Sequence, residues 1–406
     1  MEFTGTTIEL EVYATLGLSV LVLLFGKWLV KSIPILSHFC IPAPVAGGLI
    51  FSLLNLVGHM TGTFRISIDT TLQSIFMIMF FTTVGFSANL AILKKGGLGV
   101  VLFLGLASLL CVIQNTVGIG IASLFGQNSL LGIATGSVPM TGGHGTAAAF
   151  GPLLETTGLD AGSTIAVAAA TFGLVAGSLI GGPTATLIYK TRSRTIEAKR
   201  AKVETVAAEA VTEKKKPLIS NELSIAFFQI GIAVGIGFYV SKAIAMTGLT
   251  VPAYIGSMLV AAVMCNIFHP ESGKPTATRS EEISALGDMF LAIFLAQALM
   301  GLKLWELADL ALPMVVILLV QVVIMFLFAY FITFNVMGRD HDAAVLAAGH
   351  CGFGMGATPT AIANMNAVSS RFGAAPRAFF IIPIVGGLFI DFTNALIITG
   401  FINFVK

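Results

Sequence analysis

Asp391 stands in the stretch PIVGGLFIDFTNALIITG, with Thr393 and Asn394 two and three residues after it. A carboxylate inside so apolar a run is costly, and charges kept in such places mark ion or substrate pathways. Thr393 and Asn394 add oxygen atoms from adjacent turns, so Asp391, Thr393 and Asn394 form a candidate sodium site with a coupling or gating role. The plainer alternative is a carboxylate satisfied by its neighbours. Gln114, Asn115, Gln297 and Gln321 are also polar residues within apolar runs, and their types suit hydrogen bonds between helices better than ion ligation.

Two further stretches are too rich in glycine for ordinary spans: SLLGIATGSVPMTGGHGTAAAFGPLLE (129–155) and AAVLAAGHCGFGMGATPTAIANM (343–365). Gly142, Gly143 and Gly145 in the first, and Gly349, Gly352, Gly354 and Gly356 in the second, permit positive φ and close backbone approach. Both stretches are expected to be re-entrant hairpins. Non-helical backbone within a membrane must be buried in protein or line a wet cavity. Their tips would aim helix N-termini at a carboxylate while unwound carbonyls collect sodium. Ser137, Thr141, Thr146, Thr358 and Thr360 add hydroxyls. Helix packing alone would also favour glycine and threonine, but not their clustering at two breaks. His144 sits at the first tip, where it would contact substrate or cap the loop; it has no second ligand at zinc spacing.

The elements that position these groups follow from composition. The chain has 406 residues, 56% hydrophobic and 10% charged, against about 25% charged in soluble domains. Runs long enough for a bilayer core of about 30 Å occur at 11–30, 41–58, 70–92, 97–125 and 162–190, then at 222–246, 251–268, 283–302, 308–336 and 376–404. Acidic residues in MEFTGTTIELEVY replace the basic start of a signal peptide, so the first run is expected to be a retained helix. Pro42, Pro44, Pro252 and Pro383 mark helix starts or kinks. The four cysteines lack paired spacing and read as reduced apolar residues.

PAPVAGGLI (42–50) aligns with PAYIGSMLV (252–260), TTVGF (82–86) with ALMGL (298–302), and GGHGTAAA (142–149) with FGMGATPT (353–360). Five spans per half would turn the second half upside down. The fold class expected is therefore an all-α polytopic membrane protein of two inverted repeats, each of five transmembrane helices plus one re-entrant hairpin, as secondary transporters are built. The N-terminal repeat covers 1–190, a cytoplasmic linker 191–220, and the C-terminal repeat 221–406. With the N-terminus outside, eighteen of the 22 Lys and Arg residues face the cytoplasm, in keeping with the positive-inside bias. Arg371 and Arg377, beyond the second hairpin, fit that bias without any anion-binding role.

No HExxH, GxSxG or Walker sequence occurs, which leaves an intramembrane enzyme or an ATP-driven pump without its residues. No nucleic-acid motif accompanies the net charge of +2. GGHGTAAAFG, GFGMGATPTAIANM, FFTTVGF and QNTVGIGIA, taken in order, resemble the bacterial sodium/glutamate symporter family. The resemblance covers nearly the whole chain. It implies electrogenic uptake of L-glutamate with Na+ across the inner membrane, by a homodimer whose core domains move against a scaffold in elevator fashion. The family's hairpin residues carry over to Ser137, to 141–146, to 352–356 and to 358–360. Rival readings are a sodium-coupled carrier of another organic anion such as citrate or malate, an ion channel with re-entrant filter loops, and a non-transporting scaffold.

Overall fold

The computed structural model describes residues 5–90, 97–200, 220–248, 252–268, 280–306 and 311–405. In chain order the first half holds β1 (Thr6–Leu10), α1 (Val12–Ser32), α2 (Pro34–His38), α3 (Ala43–Met60), β2 (Phe64–Ile68), α4 (Thr71–Ser87), α5 (Gly97–Leu124), α6 (Ser129–Ala134), α7 (Gly143–Thr157) and α8 (Gly162–Arg200). The second holds α9 (Ser220–Ala245), α10 (Ile255–Ile267), α11 (Ser280–Met300), α12 (Ala311–Leu327), α13 (Phe334–Val336), α14 (His341–Phe353), α15 (Thr358–Phe372), α16 (Pro376–Ile384) and α17 (Ile390–Val405). Wide π-helical turns, Phe328–Thr333 and Val385–Phe389, join α12 to α13 and α16 to α17.

Helices occupy all ten expected runs. Among the described residues, eight helical segments are long and apolar enough to cross a membrane, and the chain is a multi-pass helical membrane protein. The other two, α4 and α10, have 17 and 13 residues. At about 1.5 Å per residue they reach about 26 Å and about 20 Å. Proline sits in the first turn of α3, α15 and α16, where its missing N–H has no intrahelical acceptor. Pro383 lies inside α16 just before a π turn, where it removes one rung of the ladder.

The helices sort into two groups. One contains α1, α3, α4, α9, α10 and α11; the other contains α5 to α8 and α12 to α17. Contacts within the first group come in pairs. α1 packs on α3 as α9 does on α10, α3 on α11 as α10 does on α4, and α1 on α11 as α9 does on α4, with α4 against α11 between them. Glycine permits the closest of these crossings, because lipid supplies no hydrophobic drive and the helices rely on backbone proximity. A side chain on Gly47 would strike the carbonyl of Val22, and one on Gly256 that of Gly237. Contact between the two groups is thinner, chiefly α7 with α11 and α4 with α17 and the turn before it. There Tyr254 stacks on Phe81 at 3.9 Å and meets Phe150 edge-on at 6.0 Å.

Three features add detail to the sequence reading. β1 and β2 pair in parallel, Thr6 opposite Phe64, so a small sheet joins the all-α plan. Parallel strands need a long crossover, and α1 with α3 supplies it. α8 continues ten residues into the expected linker, with a break in helical geometry at Arg192, while 201–219 of that linker lie outside the described residues. The second broken stretch ends with α15 at Phe372, beyond the expected 365. The four cysteines are free thiols.

Candidate functional site

Each broken stretch consists of two helices joined by a non-helical turn: α6 and α7 around 135–142, α14 and α15 around 354–357. The first arm of each is capped by a side chain. Asn128 accepts the N–H of Leu130 at 2.9 Å, and Asp340 that of Ala343 at 2.8 Å. The second arms, α7 and α15, start at the breaks with no side-chain cap. The first N–H groups of a helix lack intrahelical acceptors and carry the positive end of its dipole. The two uncapped ends adjoin, since a Cβ on Gly143 would lie 2.8 Å from the carbonyl oxygen of Gly356. Residues 213 positions apart are thereby brought to one place inside the protein.

Helix α5 is the post on which both breaks hang. Ser108, Cys111, Gln114 or Asn115, and Gly118 recur at three- and four-residue spacing and share a face. Ser108 Oγ donates to Thr393 Oγ1 at 3.4 Å. Asn115 Oδ1 accepts the N–H of Ser137 at 2.8 Å, and Ser137 O accepts Asn394 Nδ2 at 3.0 Å. Thr141 Oγ1 donates to Gln114 Oε1 at 2.9 Å, and Gln114 Nε2 donates to Gly354 O at 2.8 Å. Gln321 Nε2 in turn donates to Gln114 O at 2.8 Å, and Gln297 Nε2 to Ser19 Oγ at 3.4 Å. The four amide residues thus act as hydrogen-bond partners between helices, as their types suggest. Gly118 and Gly132 let the backbones of α5 and α6 touch.

The hydroxyl residues divide. Thr358 Oγ1 donates to Gly386 O at 2.6 Å, using a carbonyl of the π turn that precedes Asp391. Ser137 Oγ, Thr360 Oγ1, Asn394 Oδ1 and Asn115 Nδ2 are buried without a hydrogen-bond partner. Buried polar atoms are nearly always paired, and Asn115, Ser137 and Asn394 lie along one hydrogen-bonded chain, so their unpaired atoms fit a place where an ion or polar substrate completes the set. Thr146 is buried on the first turn of α7. His144 Nε2 lies 3.0 Å from Thr171 Oγ1 of α8, which ties the ring to a neighbouring helix.

The glycines serve proximity more than conformation. Of those named in the two stretches only Gly143 has positive φ, at 61°. A Cβ on Gly352 would meet the backbone of Ala361, so this glycine lets α14 and α15 lie together. Gly354 and Gly356 are fully enclosed, beside Leu110 and Leu174 respectively, and Gly142 abuts Thr146. Gly145 has ordinary contacts with Leu291 and Phe80, so it marks where α7 faces the other helix group.

Asp391 is half-buried on the first turn of α17. It makes no hydrogen bond or ion pair among the described residues. Thr393 Oγ1 also donates to Ile390 O at 3.2 Å, leaving its oxygen lone pairs toward α5. No cluster of three His, Cys, Asp or Glu occurs among the described residues. The donors available to a cation near Asp391 are thus hydroxyl, amide and carbonyl oxygens, the set that suits sodium.

The family model described as sodium/glutamate symporter matches residues 8–374. The chain is 43% identical over 391 residues to the sodium/glutamate symporter of Escherichia coli (strain K12), covering 96% of this chain and 97% of that protein. It belongs to the sodium/glutamate symporter family. The sodium/glutamate symporter of Haemophilus influenzae is 42% identical over 405 residues, covering 98% of this chain and 97% of that one. Membership places the chain among transporters rather than enzymes. The family match includes both broken stretches and the α5 face that joins them.

Two residues absent from the sequence reading belong beside this family's broken stretches. Tyr254 is buried at the boundary of the two helix groups with its hydroxyl unpaired. His350 is buried on α14, its Nδ1 2.8 Å from Thr333 Oγ1 in the π turn and its ring stacked on Phe353. An ionisable side chain inside GHCGFGMG is the signal that would have found His350, by the rule that singles out Asp391. Tyr254 carries no such signal, since a lone aromatic in a membrane helix is ordinary.

Proposed function

We propose that the protein is a secondary symporter that takes up L-glutamate with Na+ across a bacterial inner membrane. The observation that carries the reading is the meeting of two uncapped helix N-termini, α7 and α15, at buried breaks drawn from the two halves of the chain. Two such ends present N–H donors and positive potential to the carboxylates of an amino-acid anion. Around them Ser137, Thr146 and Thr360 supply hydroxyls, with Thr141 and Thr358 already donating to Gln114 and Gly386, and the relatives named as sodium/glutamate symporters support glutamate and sodium as the substrates. Sodium binds beside Asp391 with Thr393 and Asn394, whose amide also holds the first break through Ser137.

In this reading the two halves, 1–190 and 221–406, are inverted repeats joined by the 191–220 linker, and the broken stretches are re-entrant hairpins. The paired helix contacts within the first group support that symmetry. Elevator-type alternating access has the second group carry the site past the first as a scaffold; the thin contact between the groups supports it. The working form is a homodimer, as the family resemblance implies, with the termini periplasmic. Lys190, Arg192, Arg339, Arg371 and Arg377 gather near the Tyr189–His341 hydrogen bond of 2.7 Å and the Arg192–Tyr330 contact. That basic end suits the cytoplasmic side.

An inside-negative potential opposes entry of a monoanion by about 2.3 kcal/mol per 100 mV, so two or more sodium ions per glutamate are needed to make uptake electrically downhill. Purified protein in proteoliposomes should accumulate labelled L-glutamate under an inward sodium gradient and not under an equal potassium gradient. Inhibition by unlabelled citrate or malate instead of glutamate would assign another anion.

A further inference from the structure

The geometry points to Gln114 as the positioning residue that sets the spacing of the two breaks and thereby the fit of the site to its substrate. This rests on the breaks being the substrate site. Gln114 is wholly buried. Its carboxamide stands between the halves, accepting from Thr141 at 2.9 Å and donating to Gly354 O at 2.8 Å. Thr141 Oγ1 and Gly354 O are themselves 3.5 Å apart, too far for a good O–H···O bond, whose usual length is about 2.7–2.8 Å. The amide therefore works as a spacer: it satisfies both groups while keeping them from closing onto each other. Gln321 locks the spacer from behind by donating to the Gln114 carbonyl.

A side chain that both donates and accepts through one planar group is needed for this, and glutamine supplies it. A leucine there would remove the carboxamide that both groups bond, and nothing would hold the breaks at this spacing. A carboxylate accepts only, so it would hold Thr141 but repel the Gly354 carbonyl. Once protonated it would regain a donor.

The test uses the full chain in proteoliposomes, with Gln114→Leu and Gln114→Glu beside wild type, and initial rates of labelled L-glutamate uptake at about pH 8 and about pH 5.5. Loss of one buried bridge is worth about tenfold in apparent affinity. Q114L should raise KM by about that factor with a smaller change in maximal rate. Q114E should be impaired at the higher pH and recover relative to wild type at the lower, where burial favours the neutral carboxyl. A second readout needs no substrate: with Cys40, Cys265 and Cys351 replaced by alanine, maleimide should label Cys111, buried one turn before Gln114 on the same helix, at a different rate once Gln114 is leucine.

Wild-type KM in Q114L with unchanged Cys111 labelling would overturn the proposal. So would a Q114E deficit that does not respond to pH. If Q114L does not fold, the pH response of Q114E decides. If wild type itself moves no glutamate, the functional reading fails separately and Cys111 labelling alone judges the spacer.

Discussion

At the scale of single residues, most of the polar side chains in the interior are used up in holding backbone. Asn115, Gln114, Asn394 and Thr358 each bond a main-chain group of a break or of the π turn beside it. Asp391 differs, having no partner of that kind among the described residues. A half-buried carboxylate without a partner is unfavourable unless something charged arrives to meet it. Asp391→Asn keeps the shape and removes the charge. The variant should insert and fold as wild type does, but lose sodium-driven accumulation by about tenfold or more, as expected when a charge-assisted contact worth about 1.5–3 kcal/mol disappears. Initial uptake rates across a sodium series check this, and wild-type sodium dependence would remove Asp391 from the site.

At the scale of elements, the α5–α6 crossing fixes the entry to the first break. A Cβ on Gly132 would overlap the backbone of Gly118 and Ile119, and backbone cannot move aside as a side-chain tip can. Gly132→Ala should therefore lower the stability of the purified protein by about 1–3 kcal/mol, read as a drop in Tm in detergent. Gly120 lies on the same α5 with nothing near its Cβ position. Gly120→Ala should leave Tm unchanged or raise it, since alanine favours a helix interior by up to about 1 kcal/mol. The π turn at Val385–Phe389 belongs to this scale too. Pro383 opens the ladder, Gly386 turns its carbonyl to Thr358, and α17 then restarts with Asp391 in its first turn. A shift of α15 would thus be felt at the cation candidate through one hydrogen bond.

At the scale of the whole molecule, the proposed sodium ligands and the first break share Asn394 and Ser137, joined by one hydrogen bond of 3.0 Å. Two ligands that order the same bond must favour each other. Saturating sodium should lower the Kd for L-glutamate by about 5- to 150-fold, and saturating glutamate should strengthen sodium binding by the same total coupling free energy, because linkage is reciprocal. Calorimetry of the purified protein measures both arms; a glutamate Kd that does not respond to sodium would exclude the coupling.

What was legible in the chain by itself is what depends on local composition. The ten apolar runs had to become helices, because an unpaired backbone is intolerable in lipid. The glycine-rich stretches 129–155 and 343–365 stood out as breaks, and the helix is interrupted within each, at 135–142 and 354–357; the isolated Asp391 stood out by its cost. The two-stranded sheet was not legible, because TTIEL and FRISI are five residues each and pair only after α1 and α3 have folded back. Nor was the role of Gln114: its partners Thr141 and Gly354 lie 27 and 240 positions away, and no spacing rule reaches that far. The sorting of helices into two groups was likewise decided in three dimensions, where glycine contacts such as Gly47 on Val22 and Gly256 on Gly237 choose partners. Lipid exerts the same pull on every apolar face, so hydrophobicity made the helices and only close packing could arrange them.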